Sequence, residues 1–323
     1  MEETKQQPLG LRVCAELAGS FLLCFAIYAF STWGSAVYGV NVVFMAVATG
    51  LAYAVVTAIF SRISGGQFNP AVTVAAVLAS KTKLVDGILY VIAQVIGAIA
   101  AGFAVVKLLP TSEQVTSTVW LSPAVNGFEK GSVSYSLLTQ YGITFSITLA
   151  IVAEVVASLI VVAAAMSTMG KNGEGSDRYT ATMGIAYAIA VAISYPVTGA
   201  GLNPARSTGI AVAAVNEGLT QNPLQQLWVF WIAPVLAAAV VAFGGVLTLR
   251  GNALVMIIVQ MATTAKPKAE PTDEGDMADL EAADEQAAED SAEDGVAEQA
   301  VEAEVRDQQA DAESNADEGI ERD

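Results

Sequence analysis

The tripeptide Asn-Pro-Ala occurs twice in this chain, as Asn69, Pro70 and Ala71 and again as Asn203, Pro204 and Ala205. The two copies lie 134 residues apart, and each follows a loop rich in glycine and small polar residues. Average residue usage places a given tripeptide at roughly one in several thousand positions, so chance does not explain two copies in matching contexts. Asn is favoured at the N-cap and Pro in the first helical turn, so each copy predicts the start of a helix. The chain is therefore predicted to contain two related halves.

An acidic residue occupies a matching place upstream of each copy, Glu16 in the first half and Glu154 in the second. Two related halves are a common plan among membrane transport proteins. We expect both carboxylates to be buried and structural, and to accept hydrogen bonds from backbone N–H groups of the two loops. A role in carrying protons is the alternative.

Long apolar stretches recur along the first 250 residues, at about 11–33, 40–60, 85–107, 142–166, 180–197 and 227–249. Most approach the roughly 20 residues that a helix needs to cross a bilayer. Hydrophobic residues make up 54% of the chain, which is too apolar for an ordinary soluble domain. The fifth stretch is short, and Pro196 is predicted to end its helix.

The runs that begin at the two Asn-Pro-Ala copies, 69–79 and 203–215, are too short to cross a membrane. Eleven helical residues reach only ~16 Å, about half of the hydrocarbon thickness. The simplest arrangement is a pair of re-entrant half-helices that meet near the midplane, where irregular backbone must be buried in protein or line a watery cavity. The predicted fold class is an all-α membrane protein with six transmembrane helices and two re-entrant half-helices, in an inverted 3+3 repeat around a pore.

Charge divides the chain into two predicted regions. Residues 1–265 hold 11 Lys and Arg against 10 Asp and Glu, whereas residues 266–323 hold 4 against 22. These give +1 and −18, which together make the net charge of −17. We predict a channel domain over 1–265 and an acidic, disordered cytoplasmic tail over 266–323. The tail either keeps itself solvated or binds a basic cytosolic partner.

Basic residues in the short loops indicate how the chain crosses the membrane. If six spans alternate, most Lys and Arg fall on one side and only Lys107 and Lys130 fall on the other. The cytoplasmic side carries the excess of basic residues, so both termini are predicted in the cytoplasm of a multi-pass plasma-membrane protein. Three spans in each half make the second half inverted relative to the first.

With Ser64, Gly65, Gly66 and Arg206, the doubled Asn-Pro-Ala motif resembles the aquaporin, or major intrinsic protein, family over roughly residues 10–250. The resemblance implies a homotetramer in the lipid bilayer, with one pore per subunit for water and small neutral solutes, and no cofactor, metal or nucleic acid. In such a pore the amides of Asn69 and Asn203 donate hydrogen bonds to the passing molecule, and the positive half-helix ends repel cations. The alternative is that both Asn residues only cap helices.

Carrying the family's four filter positions over by distance from each Asn gives Thr49, Val191, Ala200 and Arg206. An intramembrane Arg is costly and usually marks a pathway, although it can instead snorkel to the interface. Strict water channels resemble Phe, His, a small residue and Arg at these places, and glycerol facilitators resemble Trp, Gly, Phe and Arg. This chain has neither aromatic there and no His at all, which predicts a wide filter. Tyr53 and Tyr187, one helical turn away, are placed to narrow it.

The predicted function is a passive channel for water and glycerol-sized uncharged solutes that excludes ions and protons. A strictly water-selective channel is the alternative, supported by the water-channel markers Ser207, Phe230 and Trp231. A scaffolding membrane protein with a vestigial pore is a further alternative. An enzyme is not expected, because the sequence offers no catalytic residues: there is no His, no metal cluster and no nucleophile–base arrangement.

Overall fold

The computed structural model describes residues 6–245 of the 323-residue chain, and this range is helical, with a single isolated β-bridge. The helices of the first half are α1 (Leu9–Ala29), α2 (Ser35–Tyr38), α3 (Val42–Ser64), α4 (Pro70–Leu78) and α5 (Leu84–Leu108). Two short helices follow in the connecting segment, α6 (Ser117–Leu121) and α7 (Val133–Thr139). The second half contains α8 (Ile147–Thr168), α9 (Tyr179–Thr198), α10 (Pro204–Ala214) and α11 (Val229–Gly245).

The predicted spans correspond to these helices. A π-helical turn, Phe30–Gly34, joins α1 to α2, so the first apolar helix runs over Leu9–Val37. This helix and α3, α5, α8 and α9 are long and apolar enough to cross a membrane, and α11 adds 17 apolar residues before the described range ends. The fold is thus the expected all-helical one, with α4 and α10 as the two short helices that begin at the Asn-Pro-Ala copies.

The prediction that Pro196 ends the fifth span is wrong. Helix α9 continues through Pro196 to Thr198 and stops at Gly199, whose φ of 74° is in the left-handed region. A proline this close to a helix end disturbs only the last turn, and helices commonly end at a glycine in the left-handed conformation. The Gly199 N–H completes the cap by donating to the Tyr195 carbonyl.

The two halves meet where α3 packs against α9, and glycine makes the close approach possible. A Cβ atom at Gly50 would lie 2.5 Å from the Gly184 carbonyl oxygen, and one at Gly184 would lie 3.0 Å from that of Gly50. Any larger residue would force the helices apart. Tyr53 and Tyr187 follow these glycines by three residues, so one turn of each helix carries a tyrosine to the contact between the halves.

The outward faces of the long helices are apolar. On α9 the exposed side chains Ile185, Ile189 and Ile193 recur every four residues, whereas Tyr187 and Val191 on the opposite face are buried. A helix with an apolar exposed face and a buried face that includes polar groups is suited to lipid outside and protein inside. The described residues therefore form a membrane-embedded bundle. The predicted acidic tail, 266–323, lies outside the described residues.

Candidate functional site: two helix ends and a buried arginine

The loops before α4 and α10 meet end to end inside the bundle. The Asn69 Nδ2 atom donates to the Leu202 carbonyl at 2.9 Å, and Asn203 Nδ2 donates to the Phe68 carbonyl at 2.7 Å. Each Asn also caps its own helix, because its Oδ1 atom accepts from the N–H of Ala71 or Ala205. The two Asn residues are thus both caps and the cross-link between the halves.

The residue before each Asn has an unusual backbone. Phe68 and Leu202 have φ values of 47° and 48°, in the left-handed region that bulky residues rarely adopt. Strain of this kind survives only where the surroundings fix it, and it clusters at functional sites. Here the conformation places each carbonyl against the opposite Asn. The strained backbone at Phe68 and Leu202 is therefore part of the hydrogen-bonded link between the two loops.

Two buried carboxylates hold the loops, as expected from their matching positions. Glu16 accepts from Ser64 Oγ at 2.6 Å, from the backbone N–H groups of Gln67 and Phe68 at 3.0 and 2.8 Å, and from Gln94 Nε2 at 2.7 Å. Glu16 is fully buried, and such a carboxylate is tolerated only when its oxygens are satisfied by donors.

Glu154 repeats the arrangement in the second half. It accepts from the Thr198 hydroxyl and from the N–H groups of Gly201 and Leu202 at 2.8 and 2.7 Å. Both acids hold the loop that positions the Asn of their own half. The structural role that the sequence suggests for the two acids stays a prediction, to which these contacts give a geometry.

The four predicted filter residues lie together. Thr49 from α3, Val191 from α9, Ala200 from the second loop and Arg206 from α10 all line one small cavity, together with Asn203. The cavity has about 20 Å³ of space open to water-sized molecules, which is room for about one water. All four side chains are buried. The side chains of Thr49, Val191 and Ala200 are short, as the sequence indicates, yet the cavity that they line is small.

A neighbour that the sequence did not reveal holds Arg206. The Asn126 Oδ1 atom, from the segment between α6 and α7, accepts hydrogen bonds from Arg206 Nη1 and from the Ser207 hydroxyl. The Asn126 amide in turn donates to the carbonyls of Thr198 and Gly199. Asn126 is 80 residues from Arg206 in the sequence and belongs to no motif, so no local signal could have identified it.

The floor of the cavity is aromatic. The rings of Tyr53 and Tyr187 are stacked, with centroids 3.2 Å apart and planes 8° from parallel. The Tyr53 hydroxyl accepts from Asn203 Nδ2 at 2.9 Å and the Tyr187 hydroxyl accepts from Asn69 Nδ2 at 2.8 Å. A signal for this pair is present in the sequence, since the tyrosines lie 134 residues apart, as the two Asn residues do.

At the far side of the bundle from Arg206, Lys81 ties the end of α4 to the end of α8. Its Nζ atom donates to the Met166 carbonyl at 3.0 Å and to the Met169 carbonyl. Partial burial lowers the pKa of Lys81, and the nearby charge of Glu174 opposes that shift.

Within residues 6–245 no cluster of three or more His, Cys, Asp and Glu side chains is placed to hold a metal ion.

Comparison with known proteins gives the family to which these features belong. Residues 3–244 match the sequence model of the major intrinsic proteins. The chain belongs to this family. Members of the family are channels and not enzymes, and this membrane protein is a channel of that family, for water or small solutes.

The curated relatives have names from both branches of channel function. Aquaporin Z of Photorhabdus laumondii is 32% identical over 71% of this chain and 93% of that protein. Glycerol uptake facilitator protein-like 6 of Lactiplantibacillus plantarum is 31% identical over 71% of this chain and 94% of that protein. Because these two identities are nearly equal, they do not distinguish a water channel from a glycerol channel, and the solute must be argued from the residues of the site.

Among solved structures, the aquaglyceroporin from Plasmodium falciparum matches with a TM-score of 0.52. It is 18% identical, and the match covers 73% of this chain and 94% of that one. This likeness concerns the fold, and it agrees with the six-helix bundle and paired half-helices described above.

Proposed function

We propose that this channel conducts water and uncharged solutes up to about the size of glycerol, and that it excludes ions and protons. The observation that carries the proposal is a buried arginine beside three short side chains, above two helix N-termini that point at each other. Arg206 supplies hydrogen-bond donors, Thr49 supplies a hydroxyl, and Val191 and Ala200 offer apolar surface. A polyol, which has hydroxyls on one edge and carbon on the other, fits this combination.

Exclusion of cations follows from charge that lacks a carboxylate partner. Among residues 6–245 one ion pair is recorded, between Arg12 and Asp86, and Arg206 is instead hydrogen-bonded to the Asn126 amide. The N-terminal ends of α4 and α10 each add about half a positive charge from their helix dipoles. A cation entering this water-poor site would meet the positive potential of Arg206 and of the two helix ends, while the nearby Glu154 carboxylate is engaged by the hydroxyl and N–H donors of its own loop.

The surroundings of the channel are part of the same proposal. The bias of basic residues supports cytoplasmic termini, and the plasma membrane is the proposed location. Family resemblance supports a homotetramer with one pore per subunit. The acidic region 266–323 is proposed to be a solvated tail that is dispensable for conduction, with binding of a basic cytosolic protein as the alternative.

A strictly water-selective channel is the second candidate, and one observation favours it. The cavity beside Arg206 has room for about one water molecule. Ser207, Phe230 and Trp231, which resemble water-channel markers, agree with this candidate.

Osmotic shrinkage of proteoliposomes in sucrose, glycerol and urea, followed by stopped-flow light scattering, separates the two candidates. The proposal expects water flux, together with glycerol entry above that of empty vesicles. Introducing the bulk of a water-selective filter, as Thr49→Phe with Val191→His, should abolish glycerol entry and preserve water flux. If the wild type passes water but no glycerol, the second candidate holds.

A further inference from the structure

We propose that the constriction of this pore is the stacked pair Tyr53–Tyr187 at the midplane, and that the rings must separate before a solute can pass. This assignment rests on the proposed channel function. The sequence indicates that the outer filter around Arg206 limits the size of the solute and the rate of its passage. In this assignment that limit lies instead at a pair of aromatic side chains one helical turn deeper.

The first argument is steric. Ring centroids 3.2 Å apart with planes 8° from parallel are in direct contact, so no molecule fits between them. Both side chains are only 1% exposed, and both line the small cavity beside Arg206. A solute that enters from that side therefore meets the two rings directly after the filter residues.

The second argument is a count of hydrogen-bond donors. A side-chain amide has two N–H donors. Asn69 uses one on the Leu202 carbonyl and one on the Tyr187 hydroxyl, and Asn203 uses its two on the Phe68 carbonyl and the Tyr53 hydroxyl. The donors that would hold a passing molecule are thus all occupied. A water or polyol can bind the two Asn residues only by displacing a tyrosine hydroxyl.

The third argument concerns how the pair is built. Gly50 and Gly184 bring α3 and α9 into backbone contact, and each tyrosine lies three residues beyond its glycine. The closeness of the helices fixes the two Cα atoms, so opening of the pair requires rotation of the side chains rather than movement of the helices. Opening then exchanges one aromatic stack and two hydroxyl bonds for the contacts of a bound solute.

The full-length chain in proteoliposomes tests this inference, with fluxes normalised to the amount of inserted protein. The variant Tyr53→Val with Tyr187→Val removes both rings, and water and glycerol permeabilities should rise by about tenfold or more, since each tenfold corresponds to about 1.4 kcal/mol of barrier. The matched control, Tyr53→Phe with Tyr187→Phe, keeps the rings and removes only the hydroxyls. The rings still close the path in this variant, so its glycerol permeability should rise several times less than that of the valine variant, although the Asn donors that the hydroxyls occupied become free.

The outcomes separate this inference from the function on which it rests. If the wild type conducts water and the valine variant gains nothing, the tyrosine pair is not the constriction and the channel function stands. A gain in the phenylalanine variant as large as that in the valine variant would assign the barrier to the hydroxyl bonds and overturn the steric assignment. If neither the wild type nor the valine variant exceeds empty vesicles, both proposals fail.

A cavity left by two valines can impair folding, and single substitutions then decide the matter. Tyr53→Leu and Tyr187→Leu each remove one ring and leave more apolar volume in place. Gel filtration in detergent reports whether each variant is assembled. At least one assembled variant should pass glycerol several times faster than the wild type, and unchanged or reduced flux in both would overturn the inference.

Discussion

The loops that precede α4 and α10 share a frame but differ in what surrounds it. In each half a buried glutamate accepts a hydroxyl and two backbone N–H groups, a residue with positive φ follows, and an Asn caps the half-helix while reaching across to the other loop. Three residues beyond the Asn the halves diverge. The first half has Val72, which packs in the apolar core, and the second has Arg206.

Two further side chains also occur on one side only. Gln94 from α5 adds a fourth donor to Glu16, and Asn126 supplies the acceptor for Arg206. Neither was identified as a candidate from the sequence. The repeated residues build a symmetric frame across the bundle, and the unrepeated ones make its two ends chemically different. Three changes test this division, from the largest expected effect to the smallest.

Removal of a buried glutamate should be the most damaging change. Glu16→Leu would remove the acceptor of four donors, whereas Glu154→Leu would remove that of three, of which the Thr198 hydroxyl keeps the Ser194 carbonyl as a second acceptor. Each unpaired buried donor costs about 1–3 kcal/mol, so both variants should lose the folded state or much of its stability. We expect the thermal midpoint in detergent to fall further for Glu16→Leu than for Glu154→Leu.

Glu16→Gln and Glu154→Gln are the matched controls, since an amide keeps one acceptor oxygen and nearly the same shape. They should lie between the wild type and the leucine variants. An equal loss of stability for the two leucine variants would mean that the bond from Gln94 adds nothing and that the frame is energetically symmetric.

Arg206→Val gives the second half the residue that the first half has at the matching position, Val72. The folded channel should persist and water flux should continue, because the Asn cross-link and the glutamate frame are untouched. The local positive charge is lost, so protons or small cations should leak, as measured with a pH-sensitive dye in potential-clamped proteoliposomes. Arg206→Lys keeps the charge and is the control. No leak in the valine variant above the wild type would show that Arg206 does not guard the pore against cations.

Asn126→Ala should have the smallest effect, because Arg206 remains and only its acceptor is removed. A hydrogen bond to a charged group is worth about 1.5–3 kcal/mol, so the guanidinium should become less well positioned. We expect a proton or cation leak smaller than that of Arg206→Val, with water flux nearly unchanged. Ser207→Ala, which removes the other donor to Asn126, serves as the control and should leak less. A leak as large as that of Arg206→Val would mean that the barrier to protons and cations depends on where the Arg206 guanidinium is held, and not on its charge alone.

Much of the local structure could be read from residues close together in sequence. Asn and Pro start the half-helices because an N-cap acts on the next two or three N–H groups, and apolar length sets the membrane spans because the bilayer is thick. The spacing of 134 residues indicates that the halves match. For the same reason Glu16 and Glu154 were identifiable, as an acid in an apolar run needs donors and the nearby loops supply them.

What the tertiary structure decided depends on contacts between distant segments. Pro196 did not end its helix, because a glycine cap three residues later sets the boundary. Asn126 reaches Arg206 through a connecting segment with no motif, and the predicted filter residues enclose little space despite three short side chains. The tyrosine pair exists only because Gly50 and Gly184 let two helices touch. Composition and spacing determine which residues are in the membrane, whereas the distance between two helix backbones determines whether the two tyrosine rings stack.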